Sequence, residues 1–376
     1  MRVVLLVGRS TGGIGTHVDQ LARDLRRDGT DVVVVTHPST AERFGWDDAR
    51  PWWPDRSAGA VAGLRRLWRL RRLAAGADVL HAHGHQAGLL ATLLSLTATR
   101  PAVIVSQHNM VLPGSGLGRV KTWAQRWVAR RADLLTGASR DLVEQARALG
   151  AADARLAGVP SPKVPALLAA DVLDAVGRER LRERLLGQAG AALPLVLTIS
   201  RIAPQKDLGT LVEAAAAVRA PCRWVVVGDG DPDLRRGLED RIRRTGAPVE
   251  LVGARGDAAD LLRAADVFVL PSTWEARALV VQEAMAAGVP VVASDAGGLR
   301  DLVEGVGLLV PVGDAATLAD RVGAVLLDPD LHATLASRSR RAAAALPDGA
   351  DAAGEWLTWY AAVVDARGGR WRADRR

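Results

Sequence analysis

Pro271–Pro290 reads PSTWEARALVVQEAMAAGVP. The apolar run just before it, VFVLPS (Val267–Ser272), is a buried strand, LVVQEAMAA carries no helix breaker before Gly288, and VPVVAS (Val289–Ser294) is a second strand. Strand, turn, helix and strand in that order form a βαβ unit, so the sheet is parallel and the fold class is α/β. Two glutamates mark the unit. Glu275 lies in the polar turn that closes the first strand, and Glu283 follows eight residues later on the helix. Eight helical residues span about 12 Å and roughly 80° of rotation. Carboxylates so placed are not a glycosidase pair, which needs about 5–9.5 Å. They suit the two hydroxylated ends of one elongated ligand. Between them the helix start, Ala278, Leu279 and Val280, offers N–H groups without intrahelical acceptors and the positive end of a dipole, a site for phosphate. Hydroxyls, phosphate and hydroxyls in a row describe a nucleotide sugar.

The same alternation extends in both directions. Apolar strand runs recur at 2–7, 31–36, 78–82, 101–107 and 133–136, and again at 194–200, 223–227, 249–252, 266–270 and 307–310. Between the two sets lies LAGVPSPKVP (156–165), a stiff linker with three prolines in six residues. At 376 residues the chain exceeds one ordinary core. The division expected is a first domain over 1–160, a second over 166–350, a terminal helix over 351–366 and an unstructured basic tail over 367–376.

The first turn, GRSTGGIGTH, has the strand–glycine–helix form of a dinucleotide site but an incomplete fingerprint. Val18 stands where a third glycine belongs, and Thr36-His37-Pro38 replaces the acid wanted after the second strand, so NAD is not indicated. Residues 38–57 read as a long loop in which Trp46, Trp52 and Trp53 form either a folded satellite cluster or a binding lip. Residues 60–76 read as a helix with Arg65, Arg66, Arg69 and Arg72 in one sector and Leu64, Leu67, Trp68 and Leu70 mostly opposite. His81, His83 and His85 alternate at a strand end, but no carboxylate or cysteine accompanies them, and a metal site is not expected there.

Lys206 and Arg201 flank a proline just past a strand, where α/β proteins bind ligands. With these residues the run EAMAAGVPVVASDAGGLRDLV (Glu283–Val303) and the Glu-x7-Glu spacing resemble glycosyltransferase family 4. These are retaining enzymes with the GT-B fold, two Rossmann-like domains facing across a cleft with the C-terminal helix returning to the first domain. The likeness is strong from Thr198 to Pro311 and weaker before. It implies that Arg201 and Lys206 hold the donor diphosphate and stabilise the leaving group, with no metal or other cofactor. It further implies that Glu283 accepts the ribose hydroxyls, that Glu275 contacts the donor sugar, and that His108 lies near the reaction centre. Gly12 and Gly13 would let the first turn approach the diphosphate, and Arg255 would lie where the base is read. The Asp-x-Asp at Asp229-Gly230-Asp231 falls in a VGDGDP turn that the family shares. Two departures stand out. Ala276-Arg277-Ala278 replaces the family's Gly-Phe/Tyr-Gly/Pro, and Pro160-Ser161-Pro162-Lys163 replaces its Asn-Gly-Val-Asp. A nucleotide-sugar epimerase, a phosphorylase and a non-catalytic nucleotide-sugar-binding subunit remain as alternatives.

Charge is unevenly spread. Residues 1–165 hold 23 Lys and Arg against 13 Asp and Glu, while residues 166–366 hold 21 against 28. The first half therefore favours an anionic partner. Its Arg-rich helix has no DNA-binding motif around it, so nucleic acid is not that partner. An anionic membrane surface fits, with a sugar, lipid-linked or small-molecule acceptor. One cysteine, Cys222, excludes a disulfide framework and suits the cytoplasm. The N-terminal apolar run is too short for a signal peptide, and the longest apolar candidate for a span, residues 86–99, stops at 14. The expectation is a cytoplasmic protein, peripheral at the inner membrane face.

Overall fold

The computed structural model describes residues 1–10, 12–54, 59–96, 101–110, 118–188 and 191–373. It contains two compact units. Unit 1 is Met1–Pro160 with Pro347–Arg376, and unit 2 is Ser161–Leu346.

Unit 1 runs β1 (Arg2–Val7), α1 (Gly13–Arg27), β2 (Asp31–Val35), α2 (Pro38–Phe44), α3 (Ala60–Ala75), β3 (Val79–His83), α4 (His85–Leu94), β4 (Ala102–Gln107), α5 (Gly118–Ala129), β5 (Leu134–Gly137), α6 (Arg140–Ala148) and β6 (Ala154–Leu156). All six strands are parallel, in the order β2-β1-β3-β4-β5-β6. Runs such as AVIVSQ in β4 are buried throughout, because helices cover both faces of the sheet.

Unit 2 continues with α7 (Val164–Ala169), α8 (Ala175–Leu186), β7 (Leu195–Ile199), α9 (Leu208–Ala217), β8 (Arg223–Val227), α10 (Pro232–Thr245), β9 (Val249–Gly253), α11 (Ala258–Ala264), β10 (Val267–Leu270), α12 (Leu279–Ala286), β11 (Val291–Ser294), α13 (Gly298–Val303), β12 (Leu308–Val310), α14 (Ala315–Leu327) and α15 (Pro329–Ala344). Its strands are parallel in the order β12-β11-β10-β7-β8-β9. The chain then re-enters unit 1 as α16 (Gly349–Ala373), which packs on α1 and β4. Trp356 and Tyr360 on α16 are buried with the α1 face of the first sheet, as the resemblance implied.

Each order reverses once, between β1 and β3 in unit 1 and between β7 and β10 in unit 2. The loops leaving such a pair diverge to opposite faces and open a crevice at the strands' C-terminal ends. In unit 2 the loops are those carrying Arg201–Lys206 and Glu275.

Three local expectations are corrected, and one choice between two readings is decided. Residues 38–44 are helical: Pro38 sits at the first helical position and His37 caps it, its Nδ1 accepting the Ser39 N–H at 3.2 Å. Of the two readings of the tryptophan loop, burial is the one seen: Trp46 and Trp53 are each buried, in two separate hydrophobic clusters. Trp46 stacks on Phe44 and donates to Asp19 Oδ1 at 2.8 Å, and Trp53 lies against Gly8. On α3 the buried residues are Leu70 and Ala74, whereas Leu64, Leu67 and Trp68 face solvent among the arginines. The tail is not free at 367. Arg367 donates to Asp133 at 2.8 Å and the helix runs on to Ala373. Among the described residues no helix is long and apolar enough to cross a membrane.

Candidate active site

In unit 2 the crevice is built from three short segments. β7 ends at Ile199, and its loop passes through Arg201 into a 3-10 turn, Pro204–Lys206. Asp207 then takes a left-handed conformation (φ 45°), the one such non-glycine among the described residues, and starts α9. That loop is tied to the segment after β10. Gln205 Nε2 donates to the Trp274 carbonyl at 2.6 Å, and Thr273 N–H donates to the Gln205 carbonyl at 2.8 Å. Lys206 Nζ pairs with Glu275 Oε1, and both side chains are largely buried. Behind Glu275 stands Gly297 (φ 52°), where a Cβ would lie 2.4 Å from the Glu275 carbonyl, and Gly298 N–H donates to that carbonyl at 2.7 Å. This close approach requires glycine.

The helix after Glu275 starts as the sequence suggested. Ala278 occupies its N-cap with no side-chain cap, so the N–H groups of Leu279 and Val280 point out of the helix without intrahelical acceptors. Ala276 and Ala278 both have negative φ, which removes the objection to alanine where relatives have glycine. Arg277 is half-buried with its Nε unpartnered; burial pushes its pKa down and the charge of Asp301 opposes that. Glu283 is buried one helical stretch away.

Two contacts to Glu283 were not legible in advance. Ser161 Oγ donates to Glu283 Oε1 at 2.7 Å, and Lys163 Nζ lies 3.6 Å from Oε2. Ser161 N–H also donates to Gln282 Oε1 at 3.2 Å. The segment read as a bare linker thus orients the carboxylate. Arg255, by contrast, is engaged elsewhere: its guanidinium clasps Asp257 at 2.8 and 2.5 Å and reaches the Leu185 carbonyl. The Asp-x-Asp turn is structural, since Asp231 caps α10 and Asp229 accepts the Ala254 N–H at 3.1 Å.

Unit 1 places Gly12 at the N-cap of α1, with open space where its Cβ would stand, and Gly13 exposed beside it. His108, just past β4, is buried and its Nε2 lies 3.2 Å from His83 Nδ1. The His81 ring packs on that of His83 with centroids 4.2 Å apart, but both its nitrogens are engaged elsewhere, Nδ1 at 2.7 Å from the Tyr360 hydroxyl and Nε2 at 2.7 Å from Ser106 Oγ. His85 opens α4 and meets the Asn109 carbonyl at 2.9 Å. The nitrogens of the three alternating histidines therefore do not point to one centre. His17, from α1, joins His83 and His108 instead. Burial lowers the pKa of His17 to about 4 and that of His108 to about 3, so both are neutral near pH 7.

Residues 193–328 match the family described as glycosyl transferases group 1, and residues 12–162 match the glycosyl transferase 4-like domain. The D-inositol 3-phosphate glycosyltransferase of Xylanimonas cellulosilytica is 31% identical over 88% of this chain and 87% of that protein. The alpha-D-kanosaminyltransferase of Streptomyces kanamyceticus is 31% identical over 73% of this chain and 74% of its own. Among solved structures, Anabaena Alr3699/HepE in complex with UDP superposes with a TM-score of 0.82 at 22% identity, covering 96% of this chain and all of that one. Sucrose-phosphate synthase from Thermosynechococcus elongatus gives a TM-score of 0.76 at 22% identity over 97% and 99%. With both sheets, the site motif and the returning helix in place, this chain belongs to the group 1 glycosyltransferases, glycosyltransferase family 4, and is an enzyme with the GT-B fold.

Proposed function

We propose that the enzyme transfers a hexose from a nucleotide-sugar donor to an acceptor hydroxyl, with retention of configuration and without a metal ion. The observation that carries the reading is the Lys206–Glu275 pair at the β7/β10 crevice, beside the uncapped start of α12. Arg201 and Lys206 hold the diphosphate, with the α12 N–H groups of Ala278, Leu279 and Val280. As the bond from the anomeric carbon to the phosphate oxygen breaks, negative charge grows on the departing nucleoside diphosphate. Two fixed cations stabilise that charge in the role a metal plays elsewhere. The acceptor oxygen bonds to the anomeric carbon and its proton is released with the diphosphate. Glu275 orients the donor sugar and Glu283, set by Ser161, takes the ribose hydroxyls. In unit 1, His108 and the Gly12–Gly13 turn are assigned the roles that the family resemblance implies. The named UDP complex of the structural relative supports a nucleotide donor.

A panel of UDP-, GDP- and ADP-sugars in a thermal-shift assay identifies the donor, because a ligand bound to the native state raises the melting temperature. Turnover of that donor is expected to be unchanged in excess EDTA. Full inhibition by the chelator would overturn the metal-free reading.

The acceptor is assigned as lipid-linked or otherwise anionic, at the cytoplasmic membrane face. Among the described residues, α4 touches both α3 and α5, and the three helices expose Leu64, Leu67, Trp68, Leu93, Val120 and Trp123. Between residues 57 and 132 the only acid is Asp78. Apolar side chains and tryptophan within an uncompensated basic field suit a headgroup boundary, each arginine adding about 1 kcal/mol of attraction to anionic lipid. Co-sedimentation with anionic vesicles is expected, weakening with salt. Changing Arg65, Arg69, Arg71 and Arg72 together to Gln is expected to abolish it. Arg66 is spared because it donates to the Trp53 carbonyl at 3.1 Å. No binding at low salt would point to a soluble acceptor.

A further inference from the structure

Three histidines from separate elements meet in unit 1: His17 on α1, His83 at the end of β3 and His108 after β4, all buried. Their ring centroids lie 5.6 Å (His17–His83), 5.5 Å (His17–His108) and 5.5 Å (His83–His108) apart, close to an equilateral triangle. One ring nitrogen from each falls within 4.8 Å of the other two. The 3.2 Å between His83 Nδ1 and His108 Nε2 is near the separation of two ligands around a tetrahedral zinc, about 3.4 Å for Zn–N bonds of about 2.0–2.1 Å. His17 makes no hydrogen bond among the described residues, so no such bond opposes a rotation of its ring toward the other two. Nitrogen donors alone, with no carboxylate or thiolate, suit zinc and its neighbours rather than magnesium or calcium.

We propose that His17, His83 and His108 bind one Zn²⁺ ion, and that the ion withdraws His108 from the reaction and inhibits transfer. The inhibitory half rests on the role assigned to His108 above; the binding half does not. Three neutral nitrogens leave the fourth position to water and provide no charge to offset the ion, so it is held reversibly. Transfer is thus independent of metal and yet silenced by zinc.

Chelator-stripped full-length protein is titrated with ZnCl₂ by calorimetry, and with CoCl₂ while the visible spectrum is followed. The expected result is one Zn²⁺ per chain and the absorption bands of four-coordinate cobalt. His17→Gln is expected to keep metal-free turnover, to weaken zinc by about 10-fold or more, and to lose both the cobalt bands and the zinc inhibition. In the wild type, EDTA restores the turnover that zinc removes. Absence of a stoichiometric heat, or zinc affinity within twofold of wild type in both His17→Gln and His83→Gln, overturns the site. Stoichiometric binding with undiminished turnover overturns the inhibition. Calorimetry reads the site even if the assigned reaction proves wrong, so the two failures are distinguishable.

Discussion

Arg201→Ala is expected to lower turnover about 10²-fold, equivalent to about 3 kcal/mol of barrier, while leaving the melting temperature unchanged. Arg201 is exposed past β7 with no acidic partner among the described residues, so its removal strips no buried group of a contact. Lys206→Ala is expected to reach a similar loss of turnover by a different route. Glu275 is buried and Lys206 is its cation, so the variant also leaves a carboxylate uncompensated and melts at lower temperature. Steady-state rates with the donor picked out by the thermal-shift panel, set beside melting curves, separate the two. If Arg201→Ala turned over within twofold of wild type, the leaving group would be stabilised elsewhere and the assignment of this loop would fail.

The largest effect on stability is expected at Asp266, the residue before β10. Its carboxylate accepts from Arg182 at 2.7 Å, from Arg178 at 3.0 Å and from the Leu195 N–H at 2.8 Å. Arg182 is itself buried and also donates to the carbonyls of Ala191 and Ala264, so α8 is fastened to the start of the two strands that carry the site. Asp266→Ala leaves two guanidinium groups, one of them buried, facing no anion. The cost is about 3–5 kcal/mol, the usual result of removing one partner from a buried ion pair. Urea unfolding followed through Trp224, which is buried in the same unit, reads it directly. A midpoint shift worth less than about 0.5 kcal/mol would place Asp266 with ordinary surface residues. Asp266→Asn, which keeps acceptors for the arginines, is expected to fall between the two.

What the residues disclosed by themselves follows from how local their signals are. The buried parallel strands announce themselves as unbroken apolar runs, and the run after Glu275 announces a helix start without a side-chain cap. These elements were legible because their physics lies within about twenty neighbouring residues. Contacts across the chain were not. Nothing in PSPK signals that Ser161 reaches Glu283, 122 positions away. His17 carried no local sign of its neighbours, since the alternation of His81, His83 and His85 suggested a grouping within one strand. Helix α2 was missed because its loop-like composition outweighed one real signal, proline at the first helical position. On α3, sorting arginine from leucine around the wheel assumed that the leucines must be inside. The buried stripe is narrower than that, and Leu64, Leu67 and Trp68 are left to solvent.

The helix that returns to unit 1 has a bearing on how the chain is made. During synthesis unit 2 can complete itself as a continuous stretch once Leu346 has left the ribosome, because every strand of its sheet is already present. Unit 1 cannot. Although it is translated first, its α1 face stays bare of Trp356 and Tyr360, and His81 lacks the hydroxyl that its Nδ1 meets, until residues 349–373 emerge. The common N-terminal-first order of domain maturation is therefore reversed at its last step. A nascent chain stalled near residue 346 would carry a finished unit 2 and a unit 1 with an open apolar groove, which is the form most exposed to chaperones and proteases.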